Sequence, residues 1–284
     1  MIKALRQIYT GFRTDSSNGS RRGEKSCRYY VKDYQYCGKK VSGAFRYGAM
    51  DEGIFSGIFR EYRLEAISQS LAGREATIVD IGGHIGGFSV IAASLLPQAK
   101  VQVYEYISDN VRMIQTNMLL NEVQNQIQVF NVAVGDRSDQ VVPNKTFDDL
   151  DANAPRKKRA NTGGNCIADA ATSQGSCENG IPTLAAKEIL APLEQVDILK
   201  VDCEGSEFKI LFSLDASDYK KIKMITGEIH HMSNHYNESQ TNGHLWSGPE
   251  LLDYLRQFYH QVEVQSQANP ESDYLQIFTA CDPK

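Results

Sequence analysis

Short runs of adjoining apolar residues alternate along this chain with stretches in which apolar residues return every third or fourth position. Ile78-Val79 with Ile81, Val101 with Val103, and Ile198-Leu199 with Val201 are of the first kind. Brief, β-branched and nearly unbroken, they read as strands buried on both faces of a parallel sheet. The second kind reads as helices with one buried stripe. The predicted order is strand 77–81, helix 86–96, strand 100–105, helix 108–121, strand 127–134, a long irregular insert, helix 183–193, strand 196–202, helix 205–213, strand 222–229, helix 248–258 and a closing antiparallel pair, 260–266 and 273–280. Strands alternating with helices predict an α/β fold, a doubly wound sheet of seven strands.

Ahead of that sheet, residues 11–26 are rich in Ser, Gly, Arg and Thr and read as an arm. Residues 28–48 alternate well enough for a strand or hairpin, and a helix is expected over 51–70 with Ile54, Phe55, Ile58, Phe59 and Tyr62 on one face. This divides the chain into an N-terminal arm and cap, 1–70, and a main domain, 71–284. The tyrosines at 29, 30, 34, 36 and 47 could stack on a flat acceptor or pack in the cap core.

The insert over 139–180 is mostly Asn, Asp, Gly, Ala, Ser and Thr. It cannot bury enough apolar surface to fold alone, and loops this long inside a domain are functional or disordered. Both of its ends fall at the carboxyl edge of the predicted sheet, so it is expected to act as a lid. Its basic run, Arg156-Lys157-Lys158-Arg159, is either a solvated face or a clamp for an acidic substrate.

Candidate chemistry gathers where strands run into glycine-bearing turns. In Asp80-Ile81-Gly82-Gly83-His84-Ile85-Gly86-Gly87 an acid ends a strand and glycines let a ligand approach the main chain. The next strand ends in Glu105, a carboxylate able to accept both hydroxyls of a ribose. The order Asp80-x-Gly82-x-His84-x-Gly86 is not G-x-G-x-x-G, the fingerprint that a dinucleotide pyrophosphate needs. An acid at position 80 suits a ribosyl cofactor that carries a sulfonium and an amino acid instead of phosphates, which is S-adenosylmethionine (SAM). A nicotinamide dehydrogenase survives only as a weak alternative.

The chain resembles the FkbM-type SAM-dependent methyltransferases. The likeness rests on Val79-Asp80-Ile81-Gly82-Gly83-His84-Ile85-Gly86, on Val103-Tyr104-Glu105 with Asp109-Asn110, on Asn131-Val132-Ala133-Val134-Gly135-Asp136, and above all on Leu199-Lys200-Val201-Asp202-Cys203-Glu204-Gly205-Ser206-Glu207. Ile225-Thr226-Gly227-Glu228-Ile229-His230 looks like the last core strand of that family, and the resemblance covers roughly residues 50–235. It implies a class I, Rossmann-like methyltransferase fold. It also implies a SAM site built from Asp80, Gly82, Gly83, His84, Gly86, Glu105, Tyr106, Ala133, Val134, Asp136 and Asp202. Asp136 would sit near the adenine or be a plain loop acid. The family usually has Asn where this chain has His84, which here donates a hydrogen bond or packs.

Asp202 and Glu204 are the candidate catalytic acids, and His230 or His231 the candidate general base. Acids such as Glu204 and Glu207 also suit a helix start for reasons of dipole alone. His231 and His235, four apart, could hold a divalent metal with Asp202, but the spacing is not diagnostic and no metal is assigned. The resemblance implies O-methylation of a small molecule, a sugar, polyketide or other secondary metabolite. N-methylation, metal-assisted O-methylation and a non-catalytic SAM- or nucleoside-binding module are the alternatives.

Across 284 residues the formal net charge is -5, which argues against a partner bound by phosphate neutralisation; no nucleic-acid partner is expected. No apolar run approaches a bilayer span, and the first residues do not form a signal peptide, so a soluble cytoplasmic protein is expected, with a homodimer left open. Six cysteines include no C-x-x-C pair. Cys166 and Cys177 could bridge, though a reducing cytosol would keep them apart, and Cys203 reads as a buried free thiol.

Overall fold

The computed structural model describes residues 29–138, 140–143, 180–230, 247–265 and 275–284. The expected arm, the basic run 156–159, His231, His235, Cys166 and Cys177 lie outside the described residues, as does almost all of the insert. No described helix is long and apolar enough to cross a membrane.

The hairpin expected near the start is present. β1 (Tyr29–Tyr36) pairs antiparallel with β2 (Lys39–Arg46) around Cys37 and Gly38, both with positive φ. The single helix expected over 51–70 is two, α1 (Asp51–Glu61) and α2 (Leu64–Ser70). Arg63 breaks the run at φ 47°, a left-handed conformation that cannot continue a right-handed helix. Tyr62 stands at the break, only 1% exposed, with its hydroxyl directed to the main sheet.

The chain then runs through β3 (Ala76–Ile81), α3 (Gly87–Leu95), β4 (Ala99–Tyr104), α4 (Ser108–Leu120) and β5 (Ile127–Phe130). Next come β6 (Ala133–Gly135), β7 (Val141–Pro143), β8 (Gly180–Ala185) and α5 (Ala186–Leu190). The remainder is β9 (Ile198–Val201), α6 (Glu207–Ser213), α7 (Ala216–Lys221), β10 (Met224–His230), α8 (Gly248–Leu255), β11 (Tyr259–Gln265) and β12 (Leu275–Pro283). Local chemistry starts the last helix: Ser247 and Glu250 form a reciprocal capping box, with Pro249 in the first turn.

Seven strands form one sheet in the order β11-β12-β10-β9-β3-β4-β5. β5, β4, β3, β9 and β10 are parallel, and β12 runs antiparallel between β10 and β11. This is the doubly wound sheet with an antiparallel final strand that the pattern predicted. Connections from β3 run outward to β4 and β5 on one side and those after β9 run outward on the other. The strand order therefore switches between β3 and β9, and ligands of open α/β sheets bind outside the carboxyl ends of strands at such a point.

Apolar clusters cover both faces of the sheet. One joins the hairpin and first helix (Val41, Phe45, Phe55) to Ile78, Ile85 and Phe88. The other joins Val79 and Leu199 to Phe208, Leu211 and Leu251. Polar staples fix the hairpin as well: the Ala44 N–H donates to Asn117 Oδ1 at 2.7 Å, and Asn117 Nδ2 donates to the Ile85 carbonyl at 2.8 Å.

Two further expectations need correction. The strand expected over 127–134 ends at Phe130, where Asn131 leaves the sheet and its Nδ2 donates to the carbonyls of Glu105 (3.0 Å) and Tyr106 (2.9 Å). The helix expected over 183–193 is β8 followed by the short α5. Residues 180–185 bury alternate side chains and pair with β6 and β7 in a small second sheet. Partners distant in sequence override a locally ambiguous run. The expected insert is thus regular at both margins, through β7 and the start of β8.

Candidate active site

Gly82 follows β3 at the switch point, with φ 82°. A Cβ there would lie 1.9 Å from the Asp202 carbonyl oxygen, so only glycine lets the two strand ends meet. The Asp202 N–H donates to the Ile81 carbonyl at 3.1 Å, which closes the junction. A cavity of about 420 Å³ opens above it, lined by residues from the cap, both strand ends and the segment after β5.

Glu105 sits on one wall. Its Oε2 accepts the His84 N–H and its Oε1 the Ile107 N–H, each at 2.8 Å. Burial pushes its carboxyl up to about 7, although these amides and Asn110 pull it down. The strand-end acid thus holds the glycine turn in shape while it faces the cavity. Tyr106, Ala133 and Val134 line the same side. Those residues form a pocket with an acid at one end and an apolar wall, suited to a nucleoside.

His84 takes φ 49°, and its Nε2 lies 3.6 Å from Asp51 Oδ1. Burial drives its imidazole down to about 4, and Arg46 and Lys200 add to this against the pull of Asp51. Asp51 is itself neutralised by Arg46, whose Nε lies 2.8 Å from Oδ2 in a fully buried pair. His84 is therefore a neutral ring at ordinary pH.

Beneath the turn lies Lys200, a charged side chain in the middle of the buried strand β9. Its Nζ donates to the Gly82 carbonyl at 2.6 Å and lies 3.1 Å from Asp80 Oδ1 and 3.5 Å from Asp202 Oδ2. Asp80 is fully buried, and its Oδ2 accepts the Ser89 hydroxyl at 2.5 Å. Asp80 stands one layer behind the cavity and shapes the turn from below. Lys200 was not anticipated as a site residue. The signal was present, since a lysine inside an unbroken apolar strand is rarely left without an anionic partner.

The opposite wall is acidic. Asp202 accepts the Tyr62 hydroxyl on Oδ2 at 2.9 Å. Burial would raise its carboxyl, but Lys200 and His230 hold it below the usual range. Glu204, at φ 52°, and Glu228 also line the cavity, with Glu61 beside them. Burial lifts Glu204 to about 7 against the pull of His230, and burial together with the Asp202 charge lifts Glu228 to about 8. His230 stands among them. Its Nδ1 is 2.9 Å from Glu207 Oε1, and its Nε2 is 3.3 Å from Glu204 Oε2 and 3.9 Å from Glu228 Oε2. Burial alone would depress this imidazolium, yet Glu207, with Glu204 and Asp202, holds it well above the ordinary histidine value.

Gly82, His84, Glu105, Tyr106, Ala133, Val134, Asp202, Glu204 and His230 thus meet around one cavity. Gly83 and Gly86 are in the turn but not on its wall, and Asp136 is exposed beyond β6. Cys203 lines the cavity as a free thiol, which burial pushes well up. Tyr62, Glu61 and Glu228 were not anticipated. Tyr62 and Glu61 come from the cap, where no local pattern announces a site. Glu228 lies on the last parallel strand, two residues before His230, which ends it.

The strand order, the acid-and-glycine turn and the acid at the next strand end define a class I methyltransferase. The Methyltransferase FkbM domain family matches residues 80–262, well over half of the chain. The chain belongs to the FkbM methyltransferase family. It is also 24% identical over 220 residues to AMB antimetabolite synthetase AmbE of Pseudomonas aeruginosa; the match takes in 68% of this chain and 10% of that protein. The chain therefore spans about a tenth of that relative's length.

Among solved structures, precorrin-6y C5,15-methyltransferase of Geobacter metallireducens aligns at 13% identity and TM-score 0.38, over 76% of this chain and 86% of that one. An O-methyltransferase family protein of Burkholderia thailandensis aligns at 10% identity and TM-score 0.40, over 81% of this chain and 59% of the other. Likeness at this level adds nothing to the family match.

Proposed function

We propose that this chain transfers the methyl group of SAM to a hydroxyl oxygen of a small molecule, with the nucleoside on the Glu105 side of the cavity and the acceptor on the Glu204 side. The observation that carries this reading is the place of Asp202. It closes the junction of the two strand ends, and the same cavity is lined by Glu105 with Tyr106, Ala133 and Val134 and by Glu204, Glu228 and His230. A sulfonium at that junction would face an anionic surface on its acceptor side.

In the transfer the acceptor oxygen attacks the methyl carbon in line, the sulfur–carbon bond breaks, and its electron pair remains on sulfur as a neutral thioether. The acceptor proton passes to the Glu204 carboxylate. Alignment of the two reactants contributes about 7–11 kcal/mol at best, and a placed base about 10²–10⁴-fold. Tyr62 and Lys200, both on Asp202 Oδ2, keep that side chain in one orientation. Likeness to a segment of an antimetabolite synthetase supports a secondary metabolite as acceptor.

The test is calorimetry of the full chain with SAM, S-adenosylhomocysteine and NAD, followed by transfer of label from methyl-labelled SAM to sugar, polyketide and amine panels. Binding of SAM with label on an alcohol supports the proposal. Label on nitrogen alone replaces O- by N-methylation, and binding of NAD alone removes the reading.

A further inference from the structure

We infer that Asp202, Glu228 and His230 form a binding site for a divalent cation on the acceptor wall of this cavity. One carboxylate oxygen from each acid and one ring nitrogen of the histidine lie within 4.8 Å of one another. Donors around a small hard cation at about 2.1 Å from the metal lie roughly 3–4 Å apart, so a modest contraction closes this set on an ion.

The second observation concerns how His230 is held. Glu207 is fully buried, with Oε2 accepting the Gly205 N–H at 2.8 Å and Oε1 accepting the His230 N–H at 2.7 Å. The same Oε1 lies 2.9 Å from His230 Nδ1. A carboxylate that grips one ring nitrogen sets the tautomer and aims the other at the metal, as partners of metal-bound histidines do. Nδ1–H donated to Glu207 leaves the lone pair on Nε2, which faces Glu204 Oε2 at 3.3 Å and Glu228 Oε2 at 3.9 Å. A lone pair directed at two carboxylates is repulsive until a positive charge sits between them. A proton can fill that place in the free protein, and a cation takes it over when bound. Lys200 is held by nearer partners, the Gly82 carbonyl and Asp80, at 2.6 and 3.1 Å.

Two carboxylates with one imidazole, and a third carboxylate from Glu204 beside them, suit Mn²⁺ or Mg²⁺ better than a thiolate-seeking ion. The cation site itself does not depend on the methyl-transfer reading; its use does. With that reading, the cation would bind the acceptor oxygen and lower the pKa of its hydroxyl, and Glu204 would take the proton.

The experiment is Mn²⁺ binding to the full chain after passage through EDTA, followed by electron paramagnetic resonance of the free ion and by calorimetry with Mn²⁺ and Mg²⁺. Expected are one Mn²⁺ per chain and a loss of affinity of about 10–100-fold in Glu207→Gln, which touches no metal but releases the histidine. Glu228→Gln should weaken binding at least as much. SAM affinity of Glu207→Gln, measured separately, should remain within about twofold of the parent. Absence of Mn²⁺ and Mg²⁺ binding in the folded parent, or full affinity in both variants, would overturn the site. Mn²⁺ bound without any SAM binding would leave the cation site standing and remove the methyltransferase reading, and SAM bound without either cation would do the reverse.

Discussion

Lys200 and Asp80 are direct cross-strand partners in β9 and β3, and the lysine ammonium lies 3.1 Å from the aspartate carboxylate inside the sheet. The pair is almost fully enclosed, with side-chain exposures of 4% and 0%. The same ammonium caps the Gly82 carbonyl, so one buried charge ties together the two strand ends that form the cavity floor.

Lys200→Met should destabilise the fold by about 3–5 kcal/mol, because it leaves Asp80 buried without a counter-charge. The double variant Lys200→Met with Asp80→Asn should recover much of that loss. Urea unfolding of both variants measures the difference; equal losses would show that the pair itself contributes little.

Glu105→Gln should weaken SAM binding about tenfold or more, since hydrogen bonds to a charged group contribute about 1.5–3 kcal/mol. An amide has one acceptor oxygen, so it cannot take both the His84 and the Ile107 N–H. Calorimetry with SAM and S-adenosylhomocysteine reads the effect, and unchanged affinity in a folded variant would move the ribose elsewhere.

Tyr62→Phe should lower turnover about tenfold, the equivalent of one hydrogen bond to a charged group, and leave SAM affinity near the parent's. The hydroxyl removed is the one that the Asp202 carboxylate accepts at 2.9 Å. Steady-state kinetics and calorimetry separate the two effects, and a loss confined to SAM binding would place Tyr62 with the cofactor.

His84 sets an acid-side limit on stability. It faces Asp51 from the first cap helix, Arg46 from β2, and Lys200 and Asp202 from β9 and the turn after it, and its own N–H is held by Glu105. Its folded pKa is about 4, below the ordinary value of 6.5. Between those values the unfolded chain binds the proton and the folded one does not, so this contribution to stability falls as pH drops from 6.5 towards 4. The full shift corresponds to roughly 3 kcal/mol. Glu105 and Glu204, held at about 7, and Glu228, at about 8, titrate with the opposite sign, so the parent must be compared with His84→Asn. The stability of the parent relative to the variant should fall across that window in chemical-denaturation curves, and parallel pH profiles would show that the ring titrates in the fold as it does in the unfolded chain.

Much of the main sheet was legible in the pattern of residues. The apolar runs at 78–81, 101–103 and 198–201 are strands, and the turn after Asp80 is where its glycines placed it. The errors fall where a distant partner or one backbone conformation overrode the local pattern. Residues 180–185 became a strand because β6 and β7 lie alongside, and the helix over 51–70 broke at Arg63. Tyr62, stranded at that break, reaches Asp202 across 140 positions of sequence.

Periodicity and turn chemistry act between near neighbours, so the strands of the main sheet, the glycine turn and the acids near the strand ends were legible in the sequence alone. Only the tertiary structure decided which charges face one another. Lys200 under Asp80 and Gly82, Glu207 gripping His230, and Glu204, Glu228 and Asp202 on one wall all depend on the parallel alignment of β3, β9 and β10. Their energies come from burial and from distances of a few ångströms between residues on different strands. No local pattern encodes those quantities, and they decide which of the acids read from the sequence hold the fold and which face the cavity.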